Sequence, residues 1–512
     1  MSLDNTYLKY LIKAHTIIGI FVIFFFFIST FFGTITVFKP YLNSWQNPSR
    51  HFEVLKNSNF DLDIAIPEAL KELGNPQDKV KIELPSIQDR ALSVNFGFSQ
   101  KVYINPYTNE LINIKNEDNF LTTFFNNMHI NLNLSRFGQT LMGLSSVAII
   151  FLTISGVYLW LLNRKTRVKV KNSWFKWHKD LSLVILPYIL IFALTGAVLG
   201  LMLSSSSAFA YSATNGKETV MAKLVRPIIF PAQGKVEKTG EVAPMENFST
   251  LYKKAQELYP NLNITRINLY NWNDKNAQII FNGYLQNNRI LTSRVNRASI
   301  TLNAQTGALI EKKGLEETHS ISKFLSGFYF FHFLFDEEIL VRLIYLIFGI
   351  VFAVSLVFGL LIWIEKSRAK YKNHESYFNF ISKFTLAISI GLLPSTAFLL
   401  FLYWFLPFDI LQRDTWLTGA FYSFLSFTLF YAVYEKDTLK GLKNFLYASS
   451  LFLFLAVLFH EIKMKLPFWE SFSKNLPEIF WLDFSLVFFA LIAFLIGKNI
   501  QEIKFIEKFK GL

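Results

Sequence analysis

Residues 177–200 read WHKDLSLVILPYILIFALTGAVLG. Past Asp180 the run is apolar for the length of a membrane-crossing helix, for which about 20 residues are needed. Its opening histidine, His178, stands 18 residues before Gly196, and the first apolar stretch of the chain repeats that offset from His15 to Gly33. That stretch, about 15–38, is too long for a signal-peptide core and lacks an A-x-A-like site, so it reads as a retained helix. Two outward-running spans built to one plan point to a duplicated membrane protein.

Composition agrees. Of 512 residues, 52% are hydrophobic, 56 are Phe and only 17% are charged, against roughly 25% charged in soluble domains. The net charge of +14 would suit nucleic acid, but the basic residues flank apolar runs instead of gathering on a polar face, which fits membrane topology. The absence of cysteine excludes disulfides, thiolate metal sites, cysteine-ligated iron–sulfur clusters and covalent c-type haem.

Apolar runs predict about eight transmembrane helices, near 15–38, 138–162, 180–203, 340–364, 380–406, 415–434, 443–462 and 477–497. The seventh is the weakest, because His460, Glu461, Lys463 and Lys465 crowd one end. Arg164, Lys165, Arg167, Lys169, Lys171, Lys176 and Lys179 lie between spans two and three, and Lys366, Arg368, Lys370 and Lys372 follow span four. Lys436, Lys440 and Lys443 lie between spans six and seven, and Lys498, Lys504, Lys508 and Lys510 in the tail. All share one side if both termini are cytoplasmic. The connections 39–128 and 204–331 then lie outside. Each reads as an α/β module, a short helix (IPEALKELG; FSTLYKKAQELYP) followed by strand-like runs that close on the hairpin signals PYTNE and AQTGA.

The unit helix–module–helix thus occurs twice. Each module leads to a histidine, His129 or His332, and to a returning span that ends alike, Gly156-Val-Tyr-Leu-Trp160 and Gly359-Leu-Leu-Ile-Trp363. Such a repeat predicts a pseudo-twofold bundle. At 1.5 Å per residue, 18 residues cover roughly 27 Å, about one hydrocarbon thickness. His15 with His178 at the cytoplasmic edge, and His129 with His332 at the outer edge, are therefore predicted to form two pairs. Facing imidazoles within an apolar bundle suit the axial positions of b-type haem, with nearby glycines leaving room for the flat ring. Other uses of the same residues are interfacial polarity, a zinc or copper site, or proton relay. His319 is a competing ligand candidate, and His460 a further functional candidate near the outer end of span seven. His51 and His374 read as solvated loop residues. Phenylalanines such as Phe24–Phe27 read as packing or lipid-facing, and Trp160, Trp177 and Trp363 as an interfacial belt.

These segments resemble a known family. WHKDLSLVILPYILIFALTGAVLG is similar to the WHR-x-x-G-L-W…P…L-T-G signature of PepSY-associated transmembrane proteins. HINLNLSRFGQTLMG resembles their L-H…G-x-x-G-R-x-L-V-G pattern, and HFLFDEEILVRLIYLIFG their fourth-helix pattern, with Arg342 at the family's basic position. VYINPYTNELI and ASITLNAQTGALIE resemble closing strands of PepSY modules. The likeness covers about residues 1–370. It departs at Gln139, where arginine is usual, and at Leu334, Glu337 and Glu338, where glycines are usual.

The resemblance implies a mainly α, polytopic protein of a bacterial inner membrane. Its expected parts are a first helix (1–38), a PepSY-like module (39–128), helices two and three (129–203), a second module (204–331), helix four (332–374) and C-terminal helices five to eight (375–512). It implies two b-type haems on His15, His129, His178 and His332. Electrons would come from a cytoplasmic reductase or quinol, since no Gly-rich dinucleotide fingerprint is present, and would reduce a ferric siderophore outside. Lipid is then the surrounding partner and nucleic acid is not one. The alternatives are a non-redox PepSY protein that binds partners or regulates an outer-face protease, and a transporter. The spans carry few charges and no obvious broken helix pair at the midplane, which counts against transport.

Overall fold

The computed structural model describes residues 5–53, 60–76, 78–97, 100–113, 119–166, 173–220, 223–224, 236–292, 294–295, 297–334 and 339–500. Arg167, Lys169, Lys171, Glu337, Glu338, Lys504, Lys508 and Lys510 lie outside them. Among the described residues, seven helices are long and apolar enough to cross a membrane: Thr6–Thr36, Ser135–Leu162, Ile339–Lys370, Lys372–Phe405, Arg413–Tyr434, Thr438–Met464 and Pro477–Asn499. The remaining span is a bent pair, Trp174–Val184 followed by Leu186–Met202. The chain is a multi-pass membrane protein. The seventh span is a continuous helix that carries His460 within it.

The bent pair corrects the expectation of an unbroken third span. Its halves differ in direction by 73°, and Pro187 stands within the first two positions of the second half. Proline has no N–H to give the preceding turn, and its ring collides with that turn's carbonyl, so the helix breaks where the proline enters. His178 therefore lies on a separate helix, Ser173–Val184. The straight 18-residue rise holds for the first repeat and fails for the second.

The two long connections close on each other. Their strands β1 (Val80–Glu83), β2 (Leu92–Phe96), β3 (Gln100–Ile104), β4 (Leu262–Tyr270), β5 (Gln278–Leu285), β6 (Ala298–Asn303) and β7 (Leu309–Lys313) form one sheet, ordered β3-β2-β1-β4-β5-β6-β7. The seam is the antiparallel pairing of β1 with β4, which sets Ile82 opposite Ile267. Across it Arg266 donates to Glu83 at 2.8 Å. Burial pushes the Glu83 carboxyl up, but the hydrogen bonds and charges of Lys81 and Arg266 outweigh it and hold it at about 2.

Helices Leu62–Glu72 and Phe248–Leu258 pack on the sheet with their apolar faces. Leu62, Ala65, Ile66 and Ala69 are buried from one, and Phe248, Leu251 and Ala255 from the other, in a core shared with Val80, Val94, Ile267 and Ile300. The spacing i, i+3, i+4, i+7 puts such residues on one helix face. Asp61 caps the first helix by accepting from the Asp63 N–H at 2.8 Å, satisfying one of the open donors of its first turn.

The spans share a second core, in which Phe32, Phe125, Ile189, Phe352, Trp404 and Phe421 meet. Spans two and three cross where Gly143 meets Gly200: a Cβ on Gly200 would lie 2.6 Å from the Gly143 Cα. Only residues this small let two backbones approach so closely. Gln139 adds a hydrogen bond to the Leu199 carbonyl at 3.3 Å.

Candidate haem-ligand histidines and a buried polar cluster

At the end of the bundle nearer the sheet, His129 occupies the last turn of helix Phe120–Asn131, and His332 the last turn of helix Ser320–Phe333. Each helix stops on a leucine in the left-handed region, Leu132 (φ 54°) and Leu334 (φ 49°), which turns the chain into the next span. The two imidazoles face one another with ring centroids 6.0 Å apart and planes 29° from parallel.

The back of each ring is tied to the neighbouring span. Nδ1 of His129 lies 2.9 Å from the Ser29 carbonyl and 3.2 Å from its hydroxyl. That hydroxyl donates to the His129 carbonyl at 2.7 Å. Nδ1 of His332 meets the Thr195 hydroxyl at 2.7 Å, and Phe192 packs on the ring at 5.1 Å.

The other two histidines, at the far end, are tied to neighbouring spans in the same way. Nδ1 of His15 lies 2.8 Å from the Ser155 hydroxyl. Nδ1 of His178 lies 2.8 Å from the Ser355 carbonyl and 3.4 Å from the Ser355 hydroxyl. In all four histidines, then, Nδ1 is engaged by a hydroxyl or carbonyl of an adjacent span, and Nε2 is the nitrogen left for a ligand. A second-shell bond of this kind fixes the tautomer and orientation of a metal-binding imidazole.

Three of the glycines lie against the histidine rings. A Cβ on Gly33 would come 2.7 Å from the His129 Nδ1, one on Gly359 3.1 Å from the His178 ring, and one on Gly156 3.4 Å from the His15 ring. They let the imidazoles lie against the helix behind them. Gly196 instead faces the Ser146 hydroxyl.

His319 accepts a hydrogen bond from the Ile321 N–H at 3.2 Å and caps the helix that ends in His332. Arg342 is buried, donating to the Val37 carbonyl and, at 3.0 Å, to the Leu334 carbonyl. It binds the turn after His332 to the end of the first span. His374 is exposed. A polar recess of about 290 Å³, lined by Lys39, Asn43, Gln88, Asn119, Thr122 and Thr123 among others, opens at the start of the helix that carries His129.

His51 is not the solvated loop residue expected. It packs edge-on against His460 with centroids 5.3 Å apart, and its Nε2 bonds the Ser44 carbonyl at 3.1 Å. His460 is fully buried, 3.0 Å from the Asp483 carboxylate. The same carboxylate accepts the Trp45 indole N–H at 2.7 Å. Asp483 was missed in the sequence, although an acidic residue inside an apolar run is itself a signal.

The fold and these sites define a polytopic membrane protein made of a duplicated unit, with a shared sheet at one end and four histidines tied through Nδ1 to neighbouring spans. The profile of the PepSY-associated TM region matches residues 12–366, and the chain belongs to that family. No curated protein matches it. The match ends before residues 375–512 begin, so the last four spans stand outside it.

Proposed function

We propose that the chain is a haem-dependent electron-transfer protein of a bacterial inner membrane, with both termini cytoplasmic and the sheet domain outside. His15 and His178 would hold one b-type haem, and His129 and His332 a second. The observation that carries this reading is the shared set of the four imidazoles, with Nδ1 bonded and Nε2 left over in every case. The spacing of the sheet-side pair also suits it. Its ring centroids are 6.0 Å apart, and Nε2 of His129 and of His332 would hold the group there.

A bound haem supplies one-electron chemistry. The chain's own residues keep each imidazole in one tautomer and exclude water with Phe192 and Tyr188, whose rings pack at 4.4 Å. The acceptor is a ferric siderophore, reduced so that iron(II) leaves its hard oxygen ligands. A cytoplasmic reductase or quinol is the donor. The polar recess beside Lys39 and Asn119 is the proposed seat of the chelate, its amides and ammonium matching an oxygen-rich anion.

The test is the visible spectrum of the purified protein, oxidised and dithionite-reduced. Bands of b-type haem, reduced in intensity by His178→Ala or His332→Ala, are expected. A colourless protein, even when expressed with added haem, would overturn the reading.

A further inference from the structure

The cluster around His460 joins three of the four unmatched C-terminal spans, through Trp404, His460 and Asp483, to the segment that leaves the first span. Trp45 and Trp404 wall the His460 ring at 5.1 and 4.7 Å. His460 is 0% exposed and Asp483 1%. Nδ1 of His460 is within ion-pair distance of the Asp483 Oδ2 but off the line a hydrogen bond needs, so Oδ2 has no hydrogen-bond donor. Nε2 of His460 and Nδ1 of His51 are also buried with no hydrogen-bond partner. Unpaired polar atoms gathered in a buried place ask for an explanation, because each costs free energy.

The charges narrow it. Arg90 and Glu478, 3.6 Å apart, offset each other beside the cluster. Glu461 follows His460 on the same helix and feels both His460 and Asp483. This leaves the Asp483 carboxylate, which needs one positive charge close by, and two imidazoles that cannot both be charged at 5.3 Å. Rings in van der Waals contact exclude a bulky ligand. Among the described residues, no three His, Asp or Glu gather to hold a metal ion. A proton needs no space.

We propose that His460, Asp483 and His51 form a proton-binding site at the sheet-side end of the C-terminal bundle. It holds one proton on His460, between the Asp483 carboxylate and the neutral His51. Its occupancy sets the seat of helix Lys39–Gln46 and, through it, of the helix that carries His129. The linkage is covalent and hydrogen-bonded. Trp45, which donates to Asp483, is followed by Gln46, whose side chain donates to the Thr122 hydroxyl at 2.9 Å and accepts the Thr122 N–H at 3.3 Å. Thr122 stands in the first turn of helix Phe120–Asn131. Release of the proton leaves an uncompensated buried carboxylate and loosens this clamp.

The site involves none of the four proposed haem ligands, so its test does not depend on the haem reading. Indole emission is quenched by a protonated imidazole in contact with it. Tryptophan fluorescence of the full chain in detergent is therefore expected to rise in one step as pH increases. His460→Gln removes the step, and Asp483→Asn moves it at least one pH unit to the acid side. Trp45→Phe, a milder change that keeps the Trp404 reporter, moves it to the basic side because the carboxylate loses a donor. Amide exchange over residues 120–129, corrected for its intrinsic pH dependence, is expected to quicken at least several-fold across the step in the parent chain and not in Asp483→Asn. Absence of the step, or a step that survives His460→Gln, overturns the site. An unmoved step in both Asp483→Asn and Trp45→Phe overturns the role of the carboxylate. Unchanged exchange over 120–129 overturns the link to the His129 helix.

Discussion

The four histidines that end or begin the spans of the duplicated half and the His460–His51 cluster are held in opposite ways. His15, His129, His178 and His332 rest on uncharged oxygens of Ser, Thr or the backbone. His460 faces a carboxylate and His51, with indoles around it. An uncharged acceptor orients an imidazole without demanding that it carry charge, and so leaves a neutral nitrogen donor for a metal. A buried carboxylate favours the imidazolium and so favours a proton. The partner behind the ring separates the two uses.

The largest expected effect tests the first half of that comparison. Replacing His332 with Ala should remove roughly half of the haem per chain, and the pair His15→Ala with His332→Ala nearly all of it. Haem-to-protein ratios from the pyridine adduct measure this. Equal loss from both single variants and the double would mean that the pairs are not independent sites.

Next comes the second half. Asp483→Ala strips the carboxylate from His460 and Trp45, and loss of one member of a buried pair costs about 3–5 kcal/mol. A thermal or denaturant transition of the C-terminal spans should fall accordingly. The same substitution at an exposed carboxylate such as Asp180, beside Lys179 at 3.0 Å, should change little. Similar losses at both positions would remove the contrast.

A smaller effect is expected from Thr195→Val, which keeps the shape of the side chain but takes the hydroxyl from the His332 Nδ1. Loss of such a supporting bond weakens metal binding about 10–100-fold. It should appear as a lower affinity of the sheet-side haem and a shifted reduction potential, with the far pair unaltered. If neither property moves, Thr195 is only packing.

Much of this could be read from the sequence, and what could not has a common physical cause. Span lengths and the repeated GVYLW and GLLIW endings are local patterns, and the helices follow them, whereas the 18-residue offset describes one helix only in the first repeat. Pro187 stood in plain view inside the third span, yet its 73° effect needed the neighbouring spans that accept the broken helix. The seam between Glu83 and Arg266, and the contact of His51 with His460, bring together residues far apart in the chain. Neither strand periodicity nor a loop-like polar segment specifies such a partner. His51 read as solvated because its neighbours are polar, whereas its burial comes from Trp404 and His460 on distant helices.

His51 therefore supplies the finest test of the comparison, through pH. Burial, and then the charge of His460, hold its pKa well below the ordinary 6.5, against the pull of its bond to the Ser44 carbonyl. In the unfolded chain it takes a proton near 6.5; in the folded protein it refuses one. The contribution of a neutral His51 to stability is thus complete above that value and is lost as pH falls below it, because the unfolded state gains a proton that the folded state does not. The transition temperature should decline between about pH 7 and about pH 5, and His51→Gln, which cannot titrate, should flatten that decline. A variant as acid-sensitive as the parent would place the titrating group elsewhere. If His51 were a solvated loop residue, its substitution would leave the profile alone, so the slope distinguishes a half-buried neutral imidazole packed against His460 from a loop histidine.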